Sequence, residues 1–309
     1  MLGRVVVLGA SLIDMNLRLD RLPKAGETRL GSNFFTSTGG KGANQAVAAR
    51  RAGGEVTFLT AFGDDAFGLQ MRDRYFAEGI DLRHVRMGEA EPSGVALILV
   101  GEDGENLIGV AMGPNARLSP GFIDELPDEV FAPPGVLLAS LEVPLDTVVR
   151  AIERAKAAGM TVVLNPAPAP AALAGHPILA RVDVLTPNRS EAEALAGIEG
   201  GDPARLADAL RGYGVGVVVL TLGAGGCLVA DESGQTTIPA FPVEAVDTVG
   251  AGDAFNGALS VALSEGLSAV DAAARANAAA AVAVTQPGAQ GALPNRAEID
   301  RMTEGRSWA

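Results

Sequence analysis

The stretch VLLASLEVPLDTVVRAIERAKAAGMTVVL, Val136–Leu164, carries two periodicities in one run. Its ends, Val136–Ala139 and Thr161–Leu164, are short, apolar and rich in branched side chains, as strands buried on both faces are. Between them Val148, Val149, Ile152 and Ala155 recur at helical spacing and make one face. Asp146 is placed to cap the start of that helix and Gly159 its end. Strand, helix and strand in about 30 residues predict two parallel strands joined by a helical crossover. Working outward, Val5–Leu8, Val56–Thr60, Val182–Leu185 and Val217–Leu220 repeat the strand signal. Asp202-Pro203 opens a helix with proline at its first position, and Ser190 with Glu193 reads as a capping box. This alternation predicts an α/β chain, a mostly parallel sheet with helices on both faces.

Two stretches break the pattern. Leu17–Thr38 is polar and turn-rich, with Pro23 and Gly26. Ser93–Ala111 reads as a hairpin, GVALILV then NLIGVAM around Gly101–Gly104. Strands inserted here, over about residues 12–40 and 93–112, have no helix to cover them. They are expected to form a small second sheet that closes over a site.

A chain of 309 residues can be one large α/β domain or two modest ones. With 37 acidic residues against 24 basic ones, its net charge of −13 argues against nucleic acid or an anionic membrane as partner. A phosphate ligand would then depend on backbone amides, a few cations and a metal. Cys227 is the one cysteine, which rules out an intrachain disulfide and fits a reducing, cytoplasmic compartment. The opening LGRVVVLGASLID lacks a basic leader and is too short to span a bilayer, so it reads as a first strand. His84 and His176 have no ligand-spaced partners, which disfavours zinc sites and histidine triads.

The sharpest chemical signal is DTVGAGDAFNG, Asp247–Gly257, followed by the helical run Ala258–Glu265. A glycine turn opening a helix presents unpaired N–H groups where the helix dipole is positive, which makes an anion site. Asp253 follows in the first turn, beside any phosphate held there. A capped helix with an acidic first turn is the plainer explanation, but it needs neither two glycines nor Ala254 and Phe255 behind them. TGGKGANQA, Thr38–Ala46, is not a P-loop, since Gly42 stands where Ser or Thr is required. It offers close backbone approach together with Lys41 and Asn44, donors suited to sugar hydroxyls. Asn188 and Glu191, in TPNRSE, end a strand and begin a helix at the mouth of the sheet. Thr221–Gly226 is another strand-end glycine turn. Asn165–Ala169, NPAPA, is a stiff loop open to a purely structural explanation. Asn277, on the alanine-rich Ala272–Ala283, is of a kind more often a satisfied core amide than a ligand. A Rossmann dehydrogenase is disfavoured because VVVLGASLID lacks G-x-G-x-x-G.

Taken together, these motifs resemble the ribokinase (PfkB-type) family of carbohydrate kinases. GGKGANQAVAA and DTVGAGDAFNG are the specific segments, and the likeness runs from Val5 to about Pro294. The resemblance implies one doubly wound α/β domain, residues 1–309, with a β lid that commonly pairs two subunits into a homodimer. It implies transfer of the γ-phosphoryl group of ATP to the primary hydroxyl of a small sugar, ribose first. Asp253 would be the base, and Gly250, Ala251 and Gly252 the anion hole. Leu12, Asp14, Gly40, Lys41, Gly42, Ala43, Asn44 and Glu142 would line the sugar. Asn188, Thr221, Leu222, Gly223, Ala224, Gly225, Gly226, Gly252 and Asn277 would line the ATP. Glu191 would order magnesium through water. Asp247, Val249, Ala283, Gln286, Gly288 and Ala292 resemble the loops that hold potassium, mostly through backbone carbonyls. Leu12 stands where the family mostly has asparagine, and Ala292 where it often has serine. The first departure leaves 2-deoxyribose, another sugar or a nucleoside open as acceptor; the second bears on ion affinity. A non-catalytic sugar- or nucleotide-binding protein is the alternative of another class, and a binder has no need of Asp253.

Overall fold

The computed structural model describes residues 3–88 and 90–305. Eight strands form the main sheet, in the order Gly234–Ile238, Cys227–Asp231, Val217–Thr221, Val184–Leu185, Thr161–Asn165, Val136–Ser140, Arg4–Leu8, Glu55–Leu59. From Val217–Thr221 to Glu55–Leu59 every pairing is parallel, and the two strands at the far edge are antiparallel. The residues of Arg4–Leu8 alternate between the two apolar layers, Val5 and Val7 in one and Val6 and Leu8 in the other. A strand buried on both faces must be apolar at every position, which is why the sequence shows runs here rather than alternation.

Against one face lie the helices Lys41–Arg51, Ala66–Ala77, Ala251–Ser264, Ala269–Ala283 and Arg296–Thr303. Against the other lie Pro120–Glu125, Leu145–Ala157, Arg189–Ala196 and Pro203–Arg211. The expected doubly wound architecture is therefore present. Arg4–Leu8 has the next strand of the main sheet in the chain, Glu55–Leu59, on one side and the more distant Val136–Ser140 on the other. At that reversal the crossovers diverge, and a crevice opens beyond the strand ends.

The inserted strands form a separate four-stranded sheet in the order Ser32–Gly39, Leu12–Arg18, Val95–Val100, Asn106–Ala111. The expected hairpin is its second half. Asp14 pairs with Ser37 on one side and Ala96 on the other, so these three share the face that also carries Leu12. One carboxylate ties this sheet to the body. Asp65 caps Ala66–Ala77 through Gly68 N at 2.8 Å and accepts from Ser93 N and Oγ at 2.8 and 2.6 Å, where the chain enters Val95–Val100.

Several boundaries differ from expectation. The quoted helix begins at Leu145 after Pro144, and Asp146 sits inside its first turn, accepting from Thr147 N at 2.8 Å rather than capping. Gly159, with φ of 83°, lies just past the helix end as expected. The capping box is Asn188 with Glu191, not Ser190 with Glu193, because the helix starts at Arg189. The strand expected over Val182–Leu185 shortens to Val184–Leu185, and Val56–Thr60 shifts back to Glu55–Leu59.

Candidate active site

Asp253 stands in the first turn of Ala251–Ser264, behind Gly250, which has φ of 79° and so favours glycine. It is only 8% exposed. Asn44 Nδ2 donates to its Oδ2 at 2.9 Å and Gln45 Nε2 to its Oδ1 at 3.1 Å. Burial raises its pKa, against the Lys41 charge and these two amides, which lower it. Burial thus makes Asp253 a stronger base than an ordinary aspartate. Beside it, a Cβ added to Gly252 would meet nothing within 4 Å, so the turn borders open space, while Ala251 N donates back to Thr248 O at 3.3 Å.

The Gly40–Asn44 segment reaches Asp253 because backbone packs on backbone. A Cβ on Gly42 would lie 2.6 Å from Gly9 Cα, and one on Gly40 2.8 Å from Ala10 O. Only glycine lets Lys41–Arg51 start that close to the first strand's end. Lys41 N donates to Glu142 Oε2 at 2.7 Å, which brings Glu142 in from the loop after Val136–Ser140. Ala43 is wholly buried. Asp14 comes in from the small sheet, where Gly39 leaves it room. Burial, with the Glu142 charge behind it, pushes the Asp14 pKa up to about 6. Leu12 is buried at 4% exposure and packs against Gly94.

Across the rim, Asn188, Thr221, Leu222, Gly223 and Gly225 line a cleft of about 630 Å³, with Arg189, Ser190 and Glu193. Gly226 has φ of 85°, and a Cβ there would strike Ile238 O at 2.1 Å, so Thr221–Gly226, Ala224 included, is a turn that demands glycine. Glu191 accepts from Asn188 N at 2.8 Å. Burial raises its pKa, partly offset by the Asn188 bond and by Lys41. Lys41 also offsets Glu142, whose pKa burial likewise raises. One lysine therefore faces three carboxylates. Asn277 is buried, and its Nδ2 donates to Ile238 O at 3.3 Å, a tie between helix and edge strand.

The loops expected to hold a cation do meet. Asp247 accepts from Val249 N at 3.0 Å and from Gly288 N at 2.8 Å. Its carboxylate is used as a clamp, so a cation there would rest on carbonyls. Ala283 and Ala292 are buried beside these loops, and Gln286 N donates to Ala283 O at 3.3 Å. Among the described residues no cluster of three His, Cys, Asp or Glu could hold a metal by side chains alone.

Sequence reasoning missed Gln45, Asn165 and Gln290. Gln45 Nε2 also donates to Asn165 Oδ1 at 3.0 Å, and Gln290 Nε2 donates to Asn44 Oδ1 at 3.0 Å. The available signal was burial of amides next to motif residues, in GANQ and in NPAPA.

A buried carboxylate beside an open glycine turn, at the mouth of a parallel sheet, is the arrangement of an α/β phosphotransferase. The chain belongs to the pfkB family of carbohydrate kinases, whose pattern matches residues 3–296. A ribokinase of Haemophilus influenzae is 39% identical over 297 residues, 95% of this chain and 96% of that protein. A deoxyribokinase of Salmonella typhi is 38% identical over 256 residues, 82% of this chain and 83% of that one. The structure of Arabidopsis thaliana ribokinase complexed with ribose and ATP superposes with a TM-score of 0.88 at 28% identity, covering 99% of this chain and 100% of that one.

Proposed function

We propose that this chain transfers the γ-phosphoryl group of ATP to the primary hydroxyl of a small sugar, converting D-ribose to ribose 5-phosphate. The observation that carries the reading is Asp253, buried, held by two amides and next to the open turn at Gly252. Asp253 accepts the hydroxyl proton as the sugar oxygen attacks the γ-phosphorus and the bond to ADP breaks. Its raised pKa suits a base that need hold the proton only late in a loose transition state. The N–H groups of Gly250, Ala251 and Gly252 stabilise the charge on the transferred group. Asp14, Lys41, Asn44 and Glu142 hold the sugar hydroxyls, with backbone approach from Gly40, Gly42 and Ala43. Thr221–Gly226, Asn188 and Asn277 place the nucleotide.

One lysine among Asp14, Glu142, Glu191 and Asp253 leaves the site too negative to take ATP alone. Magnesium, ordered by Asn188 and Glu191 through water, would neutralise the phosphates, and this donor set suits it. Potassium on the carbonyls of the Asp247–Val249 and Ala283–Ala292 loops would steady the anion turn. The whole chain works as one domain, with residues 12–40 and 93–112 closing over the sugar. The lid exposes Leu97, Leu107, Ile108 and Val110, which suits pairing of two lids in a homodimer. No helix among the described residues is long and apolar enough to cross a membrane. A buried free thiol at Cys227 suits the cytoplasm.

The test is ADP release across ribose, 2-deoxyribose, other sugars and nucleosides, with sedimentation for the dimer. Ribose is expected to give the highest kcat/KM; no sugar-dependent release would end the reading. A second reading, 2-deoxyribose as acceptor, is favoured by Leu12, which offers no hydrogen bond, and by the deoxyribokinase relative.

A further inference from the structure

Each oxygen of Asp253 receives one amide hydrogen, but the two amides are held differently. On the Oδ1 side the chain of bonds ends on a backbone carbonyl: Asn165 Nδ2 donates to Thr186 O at 3.0 Å. A carbonyl can only accept, so Asn165 must turn its own Oδ1 away, toward Gln45 Nε2. That pins the Gln45 nitrogen, and the same nitrogen meets Asp253 Oδ1. Turning Gln45 over would set its oxygen against Asn165 Oδ1. Gln45 is wholly buried, and its Oε1 has no partner at all. The fold leaves that oxygen orphaned and keeps the donor on Asp253.

On the Oδ2 side the chain of bonds ends on hydroxyls, that of Thr38 and that of Tyr75, which bonds to Gln290, Thr38 and Ser11. Asn44 donates to Oδ2, Gln290 Nε2 to Asn44 Oδ1, and Thr38 Oγ1 to Gln290 Oε1 at 2.6 Å. A hydroxyl donates or accepts equally well, so this arm has two self-consistent settings. With Asp253 ionised it runs as described. With Oδ2 protonated, both amides can turn over: Oδ2–H donates to Asn44, Asn44 to Gln290, and Gln290 to Thr38.

We propose that Asn165 and Gln45 are positioning residues that keep a fixed donor on Oδ1, so that Oδ2 is the oxygen that takes the proton from the sugar. This rests on Asp253 being the base, as proposed above. It gives a purpose to the NPAPA loop, whose first residue bonds to Gln45 and Thr186 rather than to Asp253. The charged groups that bear on Asp253 are Lys41, Glu142 and Glu191, from three other elements, and the amide changes below leave all three in place.

The test follows the protonated carboxyl of Asp253 by infrared titration of the whole protein, its band assigned as the one absent in Asp253→Asn. In Asn165→Leu, Gln45 is released to turn its oxygen to a protonated Oδ1. The titration midpoint is expected to rise by about one pH unit, the size of one hydrogen bond to a charged group. The acid limb of kcat at saturating ATP and ribose should move with it. Gln45→Met removes the donor itself and should shift the midpoint the same way; it carries the test if leucine at 165 prevents folding. A midpoint unmoved in either folded variant overturns the inference, even if kcat falls. Turnover of Asp253→Asn judges the base separately, so the two readings fail by different results.

Discussion

A carboxylate at the head of a helix and a carboxylate in a dry pocket are pulled in opposite directions, and at Asp253 the pocket wins. Asp253→Asn is expected to keep both substrates bound and to lose roughly 10²–10⁴ in turnover, the usual worth of a positioned base. Steady-state kinetics with binding titrations check it, and turnover within a few-fold of wild type would remove Asp253 from the role. Asp14 carries a cost visible in stability. Its folded pKa of about 6 lies above the ordinary aspartate value of 3.8, so its contribution is fully present below about pH 4 and lost as pH rises through about 6. Asp14→Asn should therefore raise the melting temperature at pH 8 relative to pH 4 while weakening sugar binding; an equal effect at both pH values would refute this. Leu12 is where the choice between ribose and 2-deoxyribose is expected to turn. Ser11 cannot stand in for the missing amide, since its hydroxyl is 2.9 Å from Tyr75 OH in the core. A hydroxyl facing Leu12 loses about 1–3 kcal/mol, so Leu12→Asn should shift the ratio of kcat/KM for ribose over 2-deoxyribose by roughly 10–200-fold. An unchanged ratio means Leu12 does not face the sugar. Lys41, Asn44 and Asp253 were legible because glycine turns announce them. Gln45 and Gln290 were not, because their partners lie far off in the chain and only folding brings them together.

At the scale of elements, the open space at Gly252 separates function from folding. A Cβ there meets no neighbour within 4 Å, so Gly252→Val should fold with little change in melting temperature. It should still lose about 10² or more in kcat, as one anion-hole donor is blocked. Normal kinetics would place the phosphate elsewhere. Strands and helices were readable wherever periodicity ran long, as in Leu145–Ala157. Their ends were not, because caps compete locally: Asn188 and Ser190 both offer an oxygen, and the strand bridge between Asn188 and Thr221 favours the first. The second sheet was readable as a break in the alternation. What stayed hidden was its attachment, since the Asp65 carboxylate reaches Ser93, 28 residues away, and no local pattern marks that pair.

At the scale of the whole molecule, the Asp247 clamp joins the loop before the anion turn to the loop at Gly288. A monovalent cation bridging them should therefore act on rate. Activity is expected to rise when potassium replaces sodium at matched ionic strength, and identical rates would retire the cation site. The central position of Arg4–Leu8 has a consequence in time rather than space. One flank is closed early, by Glu55–Leu59. The other waits for Val136–Ser140, where Val5 meets a residue about 130 positions later. Until that segment arrives, the first strand of the chain presents a bare edge, apolar from Val5 to Leu8 and open to any passing strand. Refolding from denaturant should accordingly be slow and lose yield steeply as concentration rises, because that edge can pair with the same edge of another chain before its own partner arrives.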